Sequence, residues 1–517
     1  MTLQVPNVIL YLVVALLLPV LAVIALFLFI FRQLVDLYLK VTLKEKYGGL
    51  LCAADKVYAK RIPANPLVMF GCSYVRTDTK VNLLEKFRNY AEKNILGNAD
   101  EYLKLTSTLH CFLGQAYLQK ETMEVEEIAK PFPLPEDNDG KFNEEYLKKS
   151  VAQLYSAPLP RNNTALFDVF VSTEPLEDFH PSVPGYVYPM MFRMHHSVAD
   201  GARCITLIAK CWADEEQALY SDQLTLGEKR EKNTKTVIES IISLTSEALA
   251  LIQLLITGTV AFLNASFLKE CDDNIIHQKG RPLCGDKLIA WQTEVESCHV
   301  QTVKNIKNRI PNTKFSDVIF YCVSAAMTDY FNMKNVSSPE KISCILPFLI
   351  FKPSGNGFRP RDLKSEFTFI TIDLSLVNPS NGFTTGLEKV KTNLDEGKNS
   401  VLKDFLYVTA NYLMAVIPTT ICPFVFDTSA YTAAISNVPG CEKFKFLGHD
   451  VLSLIISAPN TNQTGLTVTI LTLDDKFNIC LFADKAFIQN QEDGQFIVDR
   501  VVRNIEILND ESKLIFA

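Results

Sequence analysis

The sequence predicts a mixed α/β (α+β) protein with two halves of similar size and an N-terminal transmembrane helix. Strand-like and helix-like patterns alternate through residues 49–215 and again through 286–517. A linker at 216–285 separates these halves, and residues 8–31 carry no charge. Alternating strands and helices are typical of sheets covered by helices. A chain of 517 residues is long enough to bury a large core in each half.

The uncharged run at 8–31 exceeds the roughly 20 residues that a helix needs to span a bilayer. No positive charge precedes the run and no small-residue cleavage site follows it, so a cleaved signal peptide is the weaker alternative. Arg32 and three lysines follow the run, and positive residues tend to stay cytoplasmic. We therefore expect an anchor at 1–34, an amphipathic neck at 35–48 and a cytosolic body. The expected membrane is the endoplasmic reticulum, with the lipid droplet or plasma membrane as alternatives.

Composition excludes several functional classes. Hydrophobic residues make up 48% of the chain and charged residues 21%, so the chain is not of the disordered class. The net charge is −7 and no basic run occurs, which argues against a nucleic-acid partner. The 13 cysteines are odd in number and form no CxxC pair, which indicates reduced thiols of the cytosol and neither a zinc site nor a redox dithiol.

Two further uncharged runs occur in the body. The run at 248–268 is long enough to span, but a single crossing would place the two halves on opposite sides of the bilayer. We expect a helix that lies on, or dips into, the cytosolic leaflet, and a buried helix of the soluble fold is the alternative. The run at 405–426 contains Pro418 and Pro423, which favours a core segment or the wall of a substrate tunnel.

Periodicity places the principal elements along the chain. A loop is predicted at 132–142, where Pro, Asp and Gly cluster. Strands are predicted at 67–74, 164–172, 185–194, 288–291, 367–376, 451–457, 466–473 and 477–483, and helices at 83–96, 202–212, 300–310, 317–331 and 494–508.

The candidate catalytic residues lie between a predicted strand and a predicted helix. His195, His196, Asp200 and Gly201 form the pattern HHxxxDG. Histidine is the usual proton acceptor near neutral pH. Successive side chains of a strand point to opposite faces, so one histidine should face a cleft and the other the interior, which disfavours a shared metal. Alternatively both histidines are structural and Asp200 is a helix N-cap.

This pattern resembles the active-site motif of the acyl-CoA-dependent acyltransferase superfamily, and further segments favour its wax ester synthase/diacylglycerol acyltransferase branch. Residues 436–440 read SNVPG, as in the C-terminal half of that family. Residues 314–319 resemble its NDV segment, 465–470 with 483–485 its penultimate hairpin, and 50–55 its opening segment. The resemblance covers about residues 48–510 in the order of the family.

The resemblance implies a fold and a reaction. It implies two chloramphenicol-acetyltransferase-like halves with an interfacial tunnel, and fatty acyl transfer from acyl-CoA to a long-chain alcohol or to diacylglycerol. His196 corresponds to the general base and His195 to a supporting residue. Asp200 corresponds to the aspartate that holds the loop through a salt bridge, while Gly201 leaves space beside the base. No metal or cofactor is implied, and acyl-CoA is the co-substrate.

The second motif supplies the candidate oxyanion site. Asn437 can donate a hydrogen bond to a negative oxygen, with Ser436 beside it, and Pro439 and Gly440 are predicted to shape a turn that presents them. The alternative is a purely structural role for Asn437 in that turn. Both roles remain open at this point.

The chain departs from the family at several positions. Residues 165–168 read ALFD in place of a Pro-Leu-Trp element, Ser316 replaces the Asn of NDV, and Cys441 follows SNVPG in place of proline. These departures leave the acceptor open, with a sterol or an amine as alternatives. A catalytically silent lipid-binding protein is a further alternative of a different class. The sequence leaves the oligomeric state open.

Overall fold

A computed structural model of the chain describes residues 7–59, 67–135, 140–220, 237–293, 299–349, 357–378, 382–460 and 463–515. The predicted anchor, the loop at 132–142 and the linker at 216–285 are therefore described in part, and Cys298 lies outside the described residues. The other cysteines are free.

Helices and strands alternate through both halves. The helices are α1 Asn7–Leu43, α2 Ala53–Val57, α3 Leu83–Tyr90, α4 Val125–Ile128, α5 Glu144–Ser156, α6 Pro160–Asn163, α7 Gly201–Leu207, α8 Val237–Leu263, α9 His299–Arg309, α10 Phe315–Met333, α11 Phe383–Lys398, α12 Val401–Asn411, α13 Cys422–Val425 and α14 Gln491–Ile515. The strands are β1 Tyr47–Leu50, β2 Val68–Thr77, β3 Ser107–Phe112, β4 Gln115–Lys120, β5 Ala129–Pro131, β6 Phe167–Val171, β7 Tyr186–His195, β8 Lys287–Thr293, β9 Lys341–Phe348, β10 Thr368–Ser375, β11 Ala433–Cys441, β12 Lys445–Phe446, β13 His449–Ser457, β14 Leu466–Leu473 and β15 Lys476–Asp484.

Two six-stranded sheets form the body. The first has the order β12-β13-β2-β7-β6-β5 and the second β10-β9-β11-β14-β15-β8, while β1, β4 and β3 form a small third sheet. Strands β12 and β13 come from the C-terminal half but extend the first sheet, where β13 pairs antiparallel with β2. The two halves are therefore interlocked by an exchanged hairpin.

A buried cluster joins the two sheets. Phe70 of β2 and Tyr155 of α5 contact Phe482 of β15, with ring centroids 5.9 and 4.5 Å from that ring. The indole N–H of Trp291 on β8 donates to the hydroxyl of Tyr74, at 3.1 Å. This contact area is largely apolar, which is typical of a single core rather than of two separable domains.

The N-terminal helix is one unbroken element. Helix α1 continues through Pro19 to Leu43, so the anchor and the first part of the predicted neck lie in one helix, while a 3₁₀ turn at Lys44–Lys46 and the start of β1 form the rest of the neck. It is long and apolar enough to cross a membrane by length and composition. At its base Arg32 donates to the side chain of Gln115 and to the carbonyl oxygens of Leu51 and Ala415, at 3.0–3.2 Å. These bonds fasten α1 to the body.

Helix α8 packs on α12 and also reaches α1. A Cβ at Gly258 would lie 2.4 Å from Phe405 of α12, so the glycine permits a close approach of the two helices. The opposite face is open, and Leu249 is 67% exposed. The segment Thr245–Leu268 is also long and apolar enough to cross a membrane. Its open apolar face does not fit the alternative of a buried helix of the soluble fold.

Most predicted elements are confirmed with small shifts of their ends. The helix predicted at 83–96 changes character after Tyr90, where a wider π turn follows. Asp317 occupies the third helical position of α10, and its carboxylate accepts the backbone N–H of Lys314 at 2.8 Å. The run at 405–426 is divided among α12, a 3₁₀ turn at Leu413–Ala415 and α13.

Candidate active site

The HHxxxDG residues occupy the loop between β7 and α7, as the sequence predicts. Strand β7 lies between β2 and β6 and ends at His195, and α7 begins at Gly201. The backbone N–H groups of His195 and His196 donate to the carbonyl oxygens of Leu166 and Leu67, at 2.8 and 2.9 Å. These two bonds fix the backbone of the two histidines against the residues that precede β6 and β2.

His196 faces a cavity and is buried in aromatic surroundings. Its ring stacks on Tyr58 with centroids 3.7 Å apart, and Phe367 lies 6.5 Å away. Its Nδ1 has no hydrogen bond to another described residue. Burial lowers the pKa of His196 to about 4, and a contact with its own backbone carbonyl opposes that shift. The imidazole is therefore neutral at pH 7, which is the form that accepts a proton.

His195 has a different environment from its neighbour. Its Nδ1 accepts the backbone N–H of Ser197 at 3.2 Å and lies 2.7 Å from the Ser197 hydroxyl. It is buried but does not line the cavity that His196 lines. His195 therefore shapes the loop, as the alternation of side chains along a strand predicts.

Asp200 is the N-cap of α7 and ties two segments together. Its carboxylate accepts the backbone N–H of Arg203 at 2.9 Å and that of Glu366 at 2.8 Å. The salt bridge that the resemblance implies is replaced by these backbone bonds in the described part of the chain. Burial raises the pKa of Asp200 to about 6, and the two N–H donors counteract that rise. Arg203 instead approaches Glu366, at 3.6 Å.

A lysine braces the loop from behind, and the sequence gives no signal for it. The ammonium of Lys104 donates to the carbonyl oxygens of Val198 and Ser197, at 2.8 and 3.3 Å. It also pairs with buried Asp55, whose other oxygen accepts the backbone N–H of Ser365 at 2.8 Å. This brace gives a structural role to the single aspartate of the opening segment.

A buried ion pair supports the strand that ends in the histidines. The guanidinium of Arg193 makes two bonds to the carboxylate of Asp168, at 2.8 and 2.6 Å, and both residues are fully buried. Lys130 adds a bond to Asp168 at 2.9 Å. Arg193 also donates to the carbonyl oxygens of Ala157 and Pro158. Asp168 belongs to the ALFD segment that departs from the family pattern.

The SNVPG segment lies on β11 and not in a turn, which corrects the prediction for Pro439 and Gly440. Strand β11 runs parallel to β14, and its register shifts between Val438 and Cys441. A Cβ at Gly440 would lie 1.5 Å from the carbonyl oxygen of Thr472. The glycine is therefore required by the close approach of the two strands at a β-bulge.

One cavity brings residues of both halves together. His196, Asp200 and Gly201 line it from the first half, with Ser436 and Asn437 from the second. Its remaining walls are largely apolar, and a Cβ at Gly201 would meet only the side chain of Val438, at 3.8 Å.

Polar groups without partners point to where a ligand binds. Thr469 lines the cavity, and its hydroxyl is buried without a hydrogen bond among the described residues. It lies opposite Ser436 in the register of β11 and β14. The side chain of Asn437 forms no hydrogen bond within the described ranges either. Thr469 was not predicted, although it lies in a segment that matches the family.

The arrangement supports one kind of chemistry. A neutral buried imidazole faces hydroxyl and amide groups across an apolar cavity, which suits proton abstraction from a hydroxyl and stabilisation of a developing oxyanion. Among the residues that the structure describes, no three His, Cys, Asp or Glu side chains converge to hold a metal.

Comparisons with known proteins bear on the family and on the fold. Residues 365–509 match the family model of the WS/DGAT C-terminal domain. A comparison with curated proteins gives no significant match. The family resemblance stated from the motifs is thereby confirmed for the C-terminal part of the chain.

Solved structures share the fold across both halves. The wax ester synthase/diacylglycerol acyltransferase from Marinobacter aquaeolei VT8 has a TM-score of 0.57 at 15% identity, over 90% of this chain and 100% of that chain. The trichothecene 15-O-acetyltransferase TRI3 from Fusarium sporotrichioides has 0.54 at 13% identity, over 88% and 94%. A starter condensation domain of rhizomide synthetase RzmA, in complex with C8-CoA and Leu-SNAC, has 0.50 at 12% identity, over 90% and 94%. The predicted fold class is confirmed.

Proposed function

We propose that this chain is a WS/DGAT-type acyltransferase, which transfers a fatty acyl group from acyl-CoA to a long-chain alcohol or to diacylglycerol. The observation that carries the proposal is the cavity that joins the neutral imidazole of His196 to Ser436 and Asn437. An alcohol needs a base at its hydroxyl as it attacks a thioester, and His196 is the buried base of that cavity.

The reaction proceeds in two proton transfers on one imidazole. His196 takes the proton of the acceptor hydroxyl as the alcohol oxygen forms a bond to the thioester carbon. The carbon–sulfur bond then breaks, and His196 returns the proton to the sulfur of CoA. The product is an ester and free CoA, and no covalent enzyme intermediate is needed.

The negative oxygen of the tetrahedral intermediate requires donors that are in place before the reaction. Asn437 supplies an amide N–H, and the hydroxyl groups of Ser436 and Thr469 supply further donors. Each lines the cavity without a competing partner in the described residues, so no existing bond must break to bind the oxyanion.

A lipid acceptor is favoured over a polar one by the surroundings of the site. The cavity walls are mostly apolar, and two helices of the described chain are long and apolar enough for a membrane. The related structure named as a wax ester synthase/diacylglycerol acyltransferase, and that of a condensation domain with C8-CoA, support acyl-CoA as donor. We propose a single-pass N-terminal anchor with the body in the cytosol, most consistent with the endoplasmic reticulum.

The test is ester formation in microsomes that contain the protein. Labelled palmitoyl-CoA is supplied with hexadecanol or with dioleoylglycerol, and labelled ester is measured. His196→Ala should lower the rate by roughly 10²–10⁴-fold, as expected for loss of a general base. His180→Ala is the matched control, because His180 lies outside the cavity and its ring pairs with the exposed Ser182.

The outcomes separate the candidate functions. Equal product from wild type and His196→Ala would refute the role of the base. Product with cholesterol or an alkylamine but with neither lipid alcohol would identify another acceptor of the same superfamily chemistry. Absence of any ester with all acceptors would favour a silent lipid-binding protein.

A further inference from the structure

A second, smaller cavity adjoins the first. Phe369 lines both cavities and lies at the boundary between them. Apolar side chains of three helical segments form most of the walls of the second cavity, including Phe262 of α8, Leu402 and Leu406 of α12, and Phe426 after α13. The second cavity and the candidate active site therefore meet at one aromatic residue.

One face of β10 connects the two cavities. Buried and half-buried residues alternate along this strand, as expected when only one face packs into the core. Phe369 and Thr371 lie on the half-buried face, and Thr371 lines the second cavity. Phe367, two residues earlier, lines the first cavity. Phe367, Phe369 and Thr371 therefore form a row of side chains along β10 from the first cavity to the second.

Aromatic rings follow the same line. Phe367 lies 6.5 Å from His196, Phe369 lies 5.0 Å from Phe367, and Phe426 lies 6.3 Å from Phe369. The last two contacts are edge-to-face. Rings in this arrangement form apolar walls that an alkyl chain can pack against.

The outer wall of the second cavity is the apolar helix. Ala265 and Ser266 follow the end of α8 and line the cavity with Phe262. The other face of this helix is open, with Leu251 and Ile252 each 46% exposed. The helix therefore lies between the second cavity and the surroundings of its open apolar face. A lipid bilayer is the environment that suits an apolar helix face of this length and composition.

We propose that the second cavity is a lateral entrance for the lipid acceptor, between α8 and α12. The hydroxyl end of the acceptor reaches His196, its alkyl chain lies along Phe367, Phe369 and Phe426, and its tail extends past Ala265 into the bilayer. This assignment rests on the proposed acyltransferase function. The donor does not use this route, because the phosphates of CoA would have to leave water against the apolar side chains of α8 and α12.

The test narrows the entrance and varies the length of the acceptor. Ala265→Trp fills the cavity wall, whereas Leu249→Trp adds the same side chain to the open face of the same helix. With palmitoyl-CoA, Ala265→Trp should lower the rate with hexadecanol about tenfold, since overpacked sites exclude added volume. The rate with 1-butanol, which reaches the first cavity from water, should stay unchanged. Leu249→Trp should preserve both rates.

An equal loss of both rates in Ala265→Trp, or no loss of either, would refute the entrance. A second measurement does not depend on catalysis: a diazirine derivative of hexadecanol in phosphatidylcholine vesicles is photoactivated with the full-length protein. Labelling of Phe262, Leu402 and Phe426 is expected in wild type and should be lost in Ala265→Trp. Absence of label there in wild type would refute the entrance, even if His196 made no ester at all.

Discussion

The two motifs of the candidate active site differ in how their polar groups are satisfied. In the HHxxxDG loop, His195, Asp200 and the carbonyl oxygens that Lys104 reaches all have fixed partners. In the SNVPG strand, Ser436 and Asn437 face the cavity without partners in the described chain. The first half of the protein thus fixes the position of the candidate base, whereas the second half presents hydrogen-bond donors that have no partner in the described chain.

This difference has a physical reason. A buried donor or acceptor without a partner costs free energy, about 1–3 kcal/mol each, so such groups are rare outside functional sites. His196 itself combines both situations, since its loop is braced while its Nδ1 lacks a partner from any other described residue. Substitutions in the HHxxxDG loop and in the SNVPG strand can each test this difference.

The largest effect on stability is expected where the bracing is buried most deeply. Asp168→Ala would leave the guanidinium of Arg193 buried without its carboxylate, which costs about 3–5 kcal/mol. Thermal unfolding in detergent should show a large fall in Tm, with loss of activity. Asp178→Ala is the control, since Asp178 pairs with Lys141 at the exposed surface. A Tm equal to that of wild type in Asp168→Ala would contradict a supporting role for this ion pair.

The SNVPG strand should show the opposite behaviour. Asn437→Ala removes a candidate oxyanion donor that holds no structural bond, so kcat should fall by roughly 10²–10³-fold. The Tm should stay unchanged, because no hydrogen bond of the folded chain is lost. If Tm falls and kcat does not, Asn437 is structural and the comparison fails for this residue.

Two glycines, one in each motif, form a matched pair. Gly440→Ala places a Cβ against the carbonyl oxygen of Thr472, and overpacking of this kind costs about 1–3 kcal/mol. Gly201→Ala meets only the side chain of Val438 at contact distance, so its Tm should not fall. Its Cβ narrows the space beside His196, and the KM for the acceptor should rise. Equal Tm values for the two variants would contradict the bulge at β11.

The smallest effect is a displaced pH dependence. Burial lowers the pKa of His196 to about 4, so kcat/KM should stay level from pH 7 to about 5 and fall below that. An ordinary histidine would give a midpoint near 6.5. The test is the pH profile of kcat/KM, measured in short assays on the Asp200→Asn variant, which lacks the other titrating group of the site. A midpoint near 6.5 would show that His196 is hydrated in the free enzyme.

The same two groups act in opposite directions on stability. The lowered pKa of His196 means that stability is lost as the pH falls from 6.5 toward 4, because the unfolded chain binds the proton more readily. The raised pKa of Asp200 means that stability is gained as the pH falls from about 6 toward 3.8. Removing one group by His196→Ala should therefore make Tm rise on mild acidification relative to wild type.

Strand alternation predicted that the side chains of His195 and His196 diverge, and only His196 lines the cavity. Periodicity also predicted the strand–loop–helix context, whereas the role of His196 as a base and the two-half fold were implied by the resemblance to the family. Pro439 and Gly440 misled the prediction because the same residues serve turns and β-bulges, and only the approach of β14 distinguishes these structures. Asp168 and Arg193 could not be paired, because their contact depends on the register of β6 against β7.

The other unpredicted features are long-range as well. Lys104 reaches the HHxxxDG loop across 93 positions of the chain, and no local pattern marks it. The hairpin of β12 and β13 joins the sheet of the other half, which boundaries drawn along the sequence cannot express. Sequence periodicity reports which face of an element is buried but not which partner covers it.

The three hydrogen bonds of Arg32 couple the orientation of α1 to that of the body. Since the helix is unbroken and fastened at its base to β4 and to residues 51 and 415, a change in its tilt must turn the body with it. A bilayer sets the tilt of a spanning helix through its hydrocarbon thickness. For an α1 that spans the bilayer, as proposed above, membrane thickness would therefore change the angle at which the two sheets meet the lipid surface.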